Sequence, residues 1–152
     1  MLQRLVAALW LGSAFFPMLA ASAAFRAAPT PAAAADVVGA MLTRWHYVAL
    51  AAPLLLFALE LRRVRVVVLS VLFAALMLAA TQGIVDLRIR TIRGASHVSI
   101  SELRRDHPLR RHFGALHGVS MILLALQTVA AAVVVGARPK EPVRFAPGAT
   151  NG

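Results

Sequence analysis

The chain contains no cysteine, few acidic residues and few aromatic residues. Without cysteine it can form no disulfide bond, no thiolate metal site and no cysteine nucleophile. Only 14% of its residues are charged, against about a quarter in a soluble globular domain. What the chain does have is apolar, because 60% of its 152 residues are hydrophobic and stand in long uninterrupted runs. This composition is typical of an integral membrane protein.

The charged residues are mostly basic. Sixteen Lys and Arg residues face six acidic ones, which gives a formal net charge of +10. A nucleic-acid-binding protein has a similar excess, but these arginines stand at the ends of apolar runs and leave no soluble domain to carry such a fold. We therefore expect no nucleic-acid partner, and we interpret the arginine clusters as contacts with the anionic headgroups of the lipid bilayer.

Four apolar segments are long enough to cross the hydrocarbon core, which takes about 20 helical residues. They predict helices over residues 5–25, 37–62, 65–86 and 113–137. Short connections favour an antiparallel order, so the predicted fold class is all-α, an integral membrane four-helix up-down bundle over residues 1–137. The Pro- and Gly-rich residues 138–152 predict a disordered C-terminal tail.

The first segment has a second interpretation. Arg4, the apolar run after it and the small residues "AASAA" also resemble a cleavable secretory signal. The apolar run is longer than the usual signal core of about 7–15 residues, so we expect a retained membrane helix.

The start of the second segment predicts the position of the membrane surface. Asp36 is predicted as the N-cap of the helix, because a carboxylate can accept from the free N–H groups of the first turn. Trp45 and Tyr47 are predicted to lie in the aromatic belt, beside Arg44, whose guanidinium would extend to the headgroups.

The side of the membrane on which each end lies is harder to predict. The antiparallel order places nine Lys and Arg residues on one side and seven on the other. The positive-inside rule does not separate such similar numbers. We take the arginine-rich loop over residues 86–111 as cytoplasmic and the membrane as the bacterial inner membrane.

Polar residues of three segments are predicted to converge at one end of the bundle. His46 lies early in helix two, Gln82 and Asp86 end helix three, and His117 and Ser120 lie early in helix four. Polar side chains of membrane helices usually face the bundle interior, because exposing them to lipid costs energy. The sequence therefore predicts a polar pocket lined by these five side chains.

Structural roles remain open alternatives for the same residues. His46 and His112 suit headgroup contacts, and His117 suits a hydrogen bond to a neighbouring helix. Asp86 suits a surface ion pair with Arg88 or Arg90. Gly114 and Gly118 form a small-xxx-small pair, which allows close helix packing.

The segment "ISELRRDHPLRRHFGALHGVS", residues 100–120, resembles the loop and last helix of the transmembrane-protein-205-like family, a group labelled a domain of unknown function. A looser likeness extends over about residues 5–135. The family often has an Asn one turn after the serine, where this chain has Leu124, with Gln127 as the nearest amide. The resemblance implies a four-helix membrane bundle with its first helix retained. The matching motif residues are Leu103, Arg104, Asp106, Pro108, Arg111, Phe113, His117, Gly118 and Ser120.

That family looks more distantly similar to copper-resistance D-type membrane proteins and to a haem-binding four-helix oxidase of porphyrin synthesis. This likeness implies haem b or copper as an alternative ligand, with His46 and His117 as the candidate metal-binding residues. Motifs of soluble enzymes are absent from the sequence, as are paired carboxylates at membrane depth. We therefore expect a non-enzymatic polytopic membrane protein that has a His-containing pocket and, in general, no cofactor. The alternatives are a haem- or copper-binding protein and an accessory subunit of a larger membrane complex or homo-oligomer.

Overall fold

The fold is described by a computed structural model, which covers residues 2–61, 65–96, 100 and 102–137. Within these residues the protein has four α-helices and no β-strand. All four helices are long and apolar enough to cross a membrane. The predicted all-α membrane bundle is therefore confirmed. The helices are α1 (Leu2–Ala27), α2 (Pro31–Glu60), α3 (Val66–Ala95) and α4 (Pro108–Gly136).

The four helices form a ring in which each packs mainly on two neighbours. α1 packs on α2 and α4, and α3 packs on the same two helices, so α2 and α4 lie diagonally across the bundle. We call the end where α2 finishes and α3 begins the turn end. The opposite end, where α2 and α4 begin and α3 finishes, is called the rim end.

α2 begins earlier than predicted, and Asp36 is not its N-cap. Thr30 is the N-cap, and its Oγ1 accepts a hydrogen bond from the backbone N–H of Ala33 at 3.1 Å. Pro31 suits the first helical position, where a backbone N–H would have no helical partner. The alanines that follow Pro31 continue the helix, because alanine is the strongest helix former.

Two other predicted ends also lie too close to the membrane centre. α3 continues to Ala95 instead of residue 86, and α4 begins at Pro108 instead of residue 113. The charged residues marked the end of the hydrocarbon core, but arginine is a good helix former and does not end a helix. His107 caps α4, and its Nδ1 accepts from the backbone N–H of Leu109 at 3.2 Å. The predicted disordered tail, 138–152, lies outside the described residues.

The depth of the rim end follows from the helix lengths. α2 and α3 have 30 residues each. At 1.5 Å per residue that is about 45 Å, about 15 Å more than the hydrocarbon core. We place one membrane boundary at the turn end, at the ion pair between Glu60 and Arg65. The other boundary then falls about 20 residues along each helix, near residues 41 and 85. The rim-end segments beyond them extend into headgroups and water.

The interior contains two apolar clusters. The larger lies towards the turn end and includes Trp10, Leu56 and Leu72. The smaller lies towards the rim end and consists of Ala14, Trp45, Ala49, Ala79 and Leu124.

Trp45 is therefore not in the aromatic belt, and that prediction is wrong. Its side chain is only 7% exposed, whereas the neighbouring Tyr47 is 68% exposed. The alanines of the smaller cluster leave a space between the helices, and the Trp45 indole packs there.

Candidate functional site

α2 and α3 are joined near the rim end by a row of interhelical polar contacts, which we call the polar seam. Arg93 pairs with Asp36 through Nη2 and Oδ1 at 2.5 Å, and Arg90 Nη2 donates to Thr43 Oγ1 at 2.6 Å. The spacing of three and four residues keeps each row on one helix face. The rows are 36, 39, 43 and 46 on α2 and, in reverse, 93, 90, 86 and 83 on α3. The seam therefore leads from the aqueous rim to His46.

His46 lies directly against Gly83 of α3. A Cβ atom added at Gly83 would lie 3.1 Å from His46 Nε2 and 3.2 Å from Cε1. The absence of a side chain at Gly83 thus makes room for the imidazole between the two helices. Nδ1 of His46 is buried and has no hydrogen-bond partner among the described residues.

Gln82 connects α3 to α4. Its Nε2 donates to Ser120 Oγ at 2.6 Å and to Asp86 Oδ1 at 2.9 Å. Gln82 is 5% exposed and Ser120 is 7% exposed, so this hydrogen bond is formed inside the bundle. The amide oxygen Oε1 of Gln82 is buried and unpartnered within the described part of the chain.

The five side chains of the predicted pocket surround a single small cavity. It has about 20 Å³ of space, which is enough for one guest the size of a water molecule. By depth it lies at the inner edge of the rim-end membrane boundary. Binding of a guest in this cavity stays a prediction. Its lining consists of the predicted residues His46, Gln82, Asp86, His117 and Ser120, together with Leu42, Trp45, Met121 and Leu124.

His117 lies at the margin of this cavity. It is exposed, as is His112, and its ring stacks on Phe113 with the centroids 6.2 Å apart and the planes inclined by 2°. No hydrogen bond from His117 to another helix is formed among the described residues, so the predicted interhelical bond is absent there. The rotation of α4 turns Ser120 inward and His117 outward.

The predicted ion pair of Asp86 is also absent from the described part of the chain, where neither Arg88 nor Arg90 pairs with it. Asp86 instead accepts from Gln82, one turn earlier on the same helix. Arg90 reaches across to Thr43 of α2. The seam thus uses the arginine that was expected to neutralise Asp86.

Gly114 and Gly118 make no close helix contact within the described chain. A Cβ atom added at either glycine would meet no other atom within 4 Å. The small-xxx-small spacing therefore does not serve packing between the helices of this chain.

Most of the family motif shapes the approach to α4, outside the cavity. Arg104 pairs with Asp106 at 3.0 Å, the carbonyl oxygen of Leu103 accepts from Arg110, and Pro108 begins the helix. Arg111 and Gly118 are exposed, and Phe113 contacts the cavity only through its stacking on His117. Of the motif residues, only His117 and Ser120 line the cavity.

Sequence reasoning missed several site residues, among them Thr43 and Gly83 between α2 and α3 and Met121 in the cavity lining. One signal for the first two lay in the antiparallel order. Placing His46 opposite residue 83 puts Thr43 opposite residue 86, and the three-and-four spacing then repeats along both helices. Met121 gave no comparable signal, since it is one of many apolar residues in α4.

The two cofactors suggested by resemblance fit these residues differently. Haem does not fit, because ligand pockets of that class measure about 300–1,000 Å³ and this cavity admits a water-sized guest. The described residues hold no group of three or more His, Cys, Asp or Glu side chains arranged to bind a metal ion. Copper at His46 and His117 stays a prediction, which the metal content of the purified protein would check.

Fold and site together define a class, the four-helix integral membrane proteins with a polar cavity near one membrane surface. In comparisons with known proteins, no family model, no curated protein and no solved structure matches the chain. The likeness to the transmembrane-protein-205-like family therefore stays a prediction.

Proposed function

We propose that the protein is a non-enzymatic membrane protein that binds one small polar guest in the cavity near its rim end. The observation that carries this proposal is a set of buried polar atoms, in residues that line the cavity, which have no hydrogen-bond partner within the described part of the chain. They are His46 Nδ1, Gln82 Oε1 and Trp45 Nε1. A buried polar atom costs free energy unless it is hydrogen-bonded, so a guest that pairs with these atoms stabilises the folded bundle.

The hydrogen-bond partners around Ser120 support a binding role over a catalytic one. A serine nucleophile needs a neighbouring base to accept its proton. Ser120 Oγ accepts from the amide nitrogen of Gln82, which cannot act as a base. His46 contacts α3 at Gly83 and belongs to no Ser–His pair in the described residues.

The lipid bilayer is the second partner in this proposal. Arg44, Arg88 and Arg111 are exposed on α2, α3 and α4 near the boundary estimated from the helix lengths. Guanidinium groups at that depth meet the phosphates of anionic lipids. We take this rim as cytoplasmic and the membrane as the bacterial inner membrane.

Cysteine labelling tests that orientation, because the chain has no cysteine of its own. Gly94→Cys lies in the exposed rim-end part of α3, and Leu61→Cys lies in the exposed turn. In intact bacterial cells, a membrane-impermeant maleimide is expected to label Leu61→Cys and to label Gly94→Cys only after the inner membrane is opened. The reverse pattern would place the rim outside.

Guest binding is tested by thermal unfolding of the protein in lipid nanodiscs. The panel consists of salts of ions that are close to water in size, such as Na⁺, NH₄⁺ and F⁻. Gly83→Ala presses on His46, which lines the cavity, whereas Gly118→Ala adds the same methyl group in open space. A guest at 100 times its Kd stabilises by about 2.7 kcal/mol, which raises Tm by several degrees.

The expected result is a rise in Tm with at least one guest, retained in Gly118→Ala and reduced in Gly83→Ala. If no member of the panel raises Tm, or if it raises Tm equally in both variants, the cavity is not a binding site for these guests and the proposal is wrong.

A further inference from the structure

The balance of donors and acceptors in the cavity indicates which guest it takes. Gln82 uses both amide protons, one for Ser120 and one for Asp86. Among the described residues, the amide atom of Gln82 that has no partner is therefore Oε1, which can only accept a hydrogen bond. The residue is only 5% exposed. A buried acceptor of this kind calls for a donor or a cation.

Asp86 adds a negative charge to this acceptor. Gln82 occupies one carboxylate oxygen, Oδ1, and no described side chain forms an ion pair with Asp86. Arg90, one turn further along α3, donates to Thr43 on the seam. Both Arg90 and His46 interact electrostatically with Asp86. Neither forms an ion pair with the carboxylate among the described residues, and a carboxylate without a paired charge at the edge of the hydrocarbon core attracts a cation.

The volume of the cavity further limits which guest can bind. The space of about 20 Å³ admits a water molecule or an ion of similar size, and it excludes organic ammonium groups and phosphate. An anion could accept from the indole N–H of Trp45, which only donates, but it would meet both the Asp86 charge and the Gln82 oxygen. A divalent ion such as Ca²⁺ usually requires more carboxylate ligands than the one present here.

We propose that the rim cavity binds a small monovalent cation of the Na⁺ or NH₄⁺ class through oxygen atoms of Gln82, Asp86 and Ser120. Hard cations prefer such oxygen ligands. This inference rests on the proposed function, because it names the chemistry of the guest in the same cavity. It also gives Gly83 and the polar seam a role, which is to hold His46 beside the bound ion.

The test measures Tm in nanodiscs of neutral lipid, at constant chloride and constant ionic strength. Choline chloride, whose cation is too large for the cavity, is replaced stepwise by the chloride of Na⁺, K⁺ or NH₄⁺. We expect Tm of the wild-type protein to rise by several degrees with Na⁺ or NH₄⁺. Asp86→Asn should lose this dependence, because it keeps an acceptor for Gln82 but removes the charge. Gly118→Ala should retain it.

The outcomes separate the inference from the proposed function. An equal response in the wild-type protein and in Asp86→Asn would identify a general salt effect and overturn the inference. If fluoride raises Tm in a Gly83-dependent manner and no cation does, the inference is wrong while the proposed function stands. If neither the cations nor fluoride raise Tm, both are wrong. Should Asp86→Asn fail to fold, Ser120→Ala tests the same dependence by removing one oxygen ligand.

Discussion

The two halves of the bundle are held together in different ways. The turn-end half contains the larger apolar cluster, in which Leu56 and Leu72 are fully buried. In the rim-end half the apolar cluster is smaller, and the helices are also joined by the polar seam and by the hydrogen bond from Gln82 to Ser120. Lipid is as apolar as a leucine side chain, so tight packing and interhelical hydrogen bonds are what hold membrane helices together. The turn-end half is held together mainly by packing. The rim-end half is held together also by interhelical hydrogen bonds, and it contains the cavity.

This difference separates stability from binding along one set of helices. The turn-end half has a buried charged contact, the ion pair between Glu60 and Arg65 at 3.2 Å. Among the described residues, unpartnered buried polar atoms occur in both halves, at Trp10 Nε1 and Arg65 Nη2 in the turn-end half and at His46, Gln82 and Trp45 in the rim-end half, where all three residues line the cavity. Substitutions in each half therefore test whether its stability depends on packing or on hydrogen bonds.

The largest effect is expected in the turn-end half. Leu72→Ala removes a fully buried side chain from a packed interior and leaves a cavity, so we expect a loss of about 2–4 kcal/mol in the free energy of unfolding. Leu54→Ala, at an exposed position on α2, should cost much less. Unfolding in mixed micelles would measure both. Similar losses at the two positions would mean that packing does not distinguish this half.

Gly83→Ala tests the rim-end half. The added Cβ would lie 3.1 Å from His46 Nε2, so the imidazole or one of the helices must move. We expect a loss of about 1–3 kcal/mol, in the range of other overpacked interiors. Gly118→Ala is the matched control, since its Cβ meets nothing within 4 Å and alanine favours a helix. A Gly83→Ala variant as stable as the control would show that His46 is not held there.

Depth along the bundle was predictable from the sequence, but rotation about each helix axis was not. Hydrophobic runs and antiparallel order were sufficient to predict four helices and to place His46, Gln82 and Ser120 at one level. Trp45 was wrongly predicted to lie in the aromatic belt, and His117 lines the cavity from an exposed position without the interhelical bond, because the direction in which a side chain points depends on how alanine-lined surfaces pack. The helix ends were placed too near the membrane centre, since charge marks the lipid boundary and does not end a helix.

Gln127 marks the border between the two halves. It is fully buried on α4, and neither atom of its amide has a hydrogen-bond partner among the described residues. An unpaired amide at membrane depth costs free energy. Gln127→Leu is therefore expected to raise the free energy of unfolding by about 1–2 kcal/mol, the usual cost of a buried unsatisfied group. A loss of stability in the same mixed-micelle assay would show that the amide has a partner and that the polar half extends deeper.

The smallest effect is expected from the contact that joins α3 to α4. A double-mutant cycle on Gln82→Leu and Ser120→Ala isolates the interaction between the two side chains, which meet at 2.6 Å. Such hydrogen bonds in membrane bundles average about 0.6 kcal/mol, because the unfolded helices also find partners. We expect a coupling energy of that size in the unfolding assay, with Thr128→Val as a control because its hydroxyl donates to Leu124 within one helix. A coupling near zero would mean that packing alone holds the rim-end half, and the contrast between the two halves would then disappear.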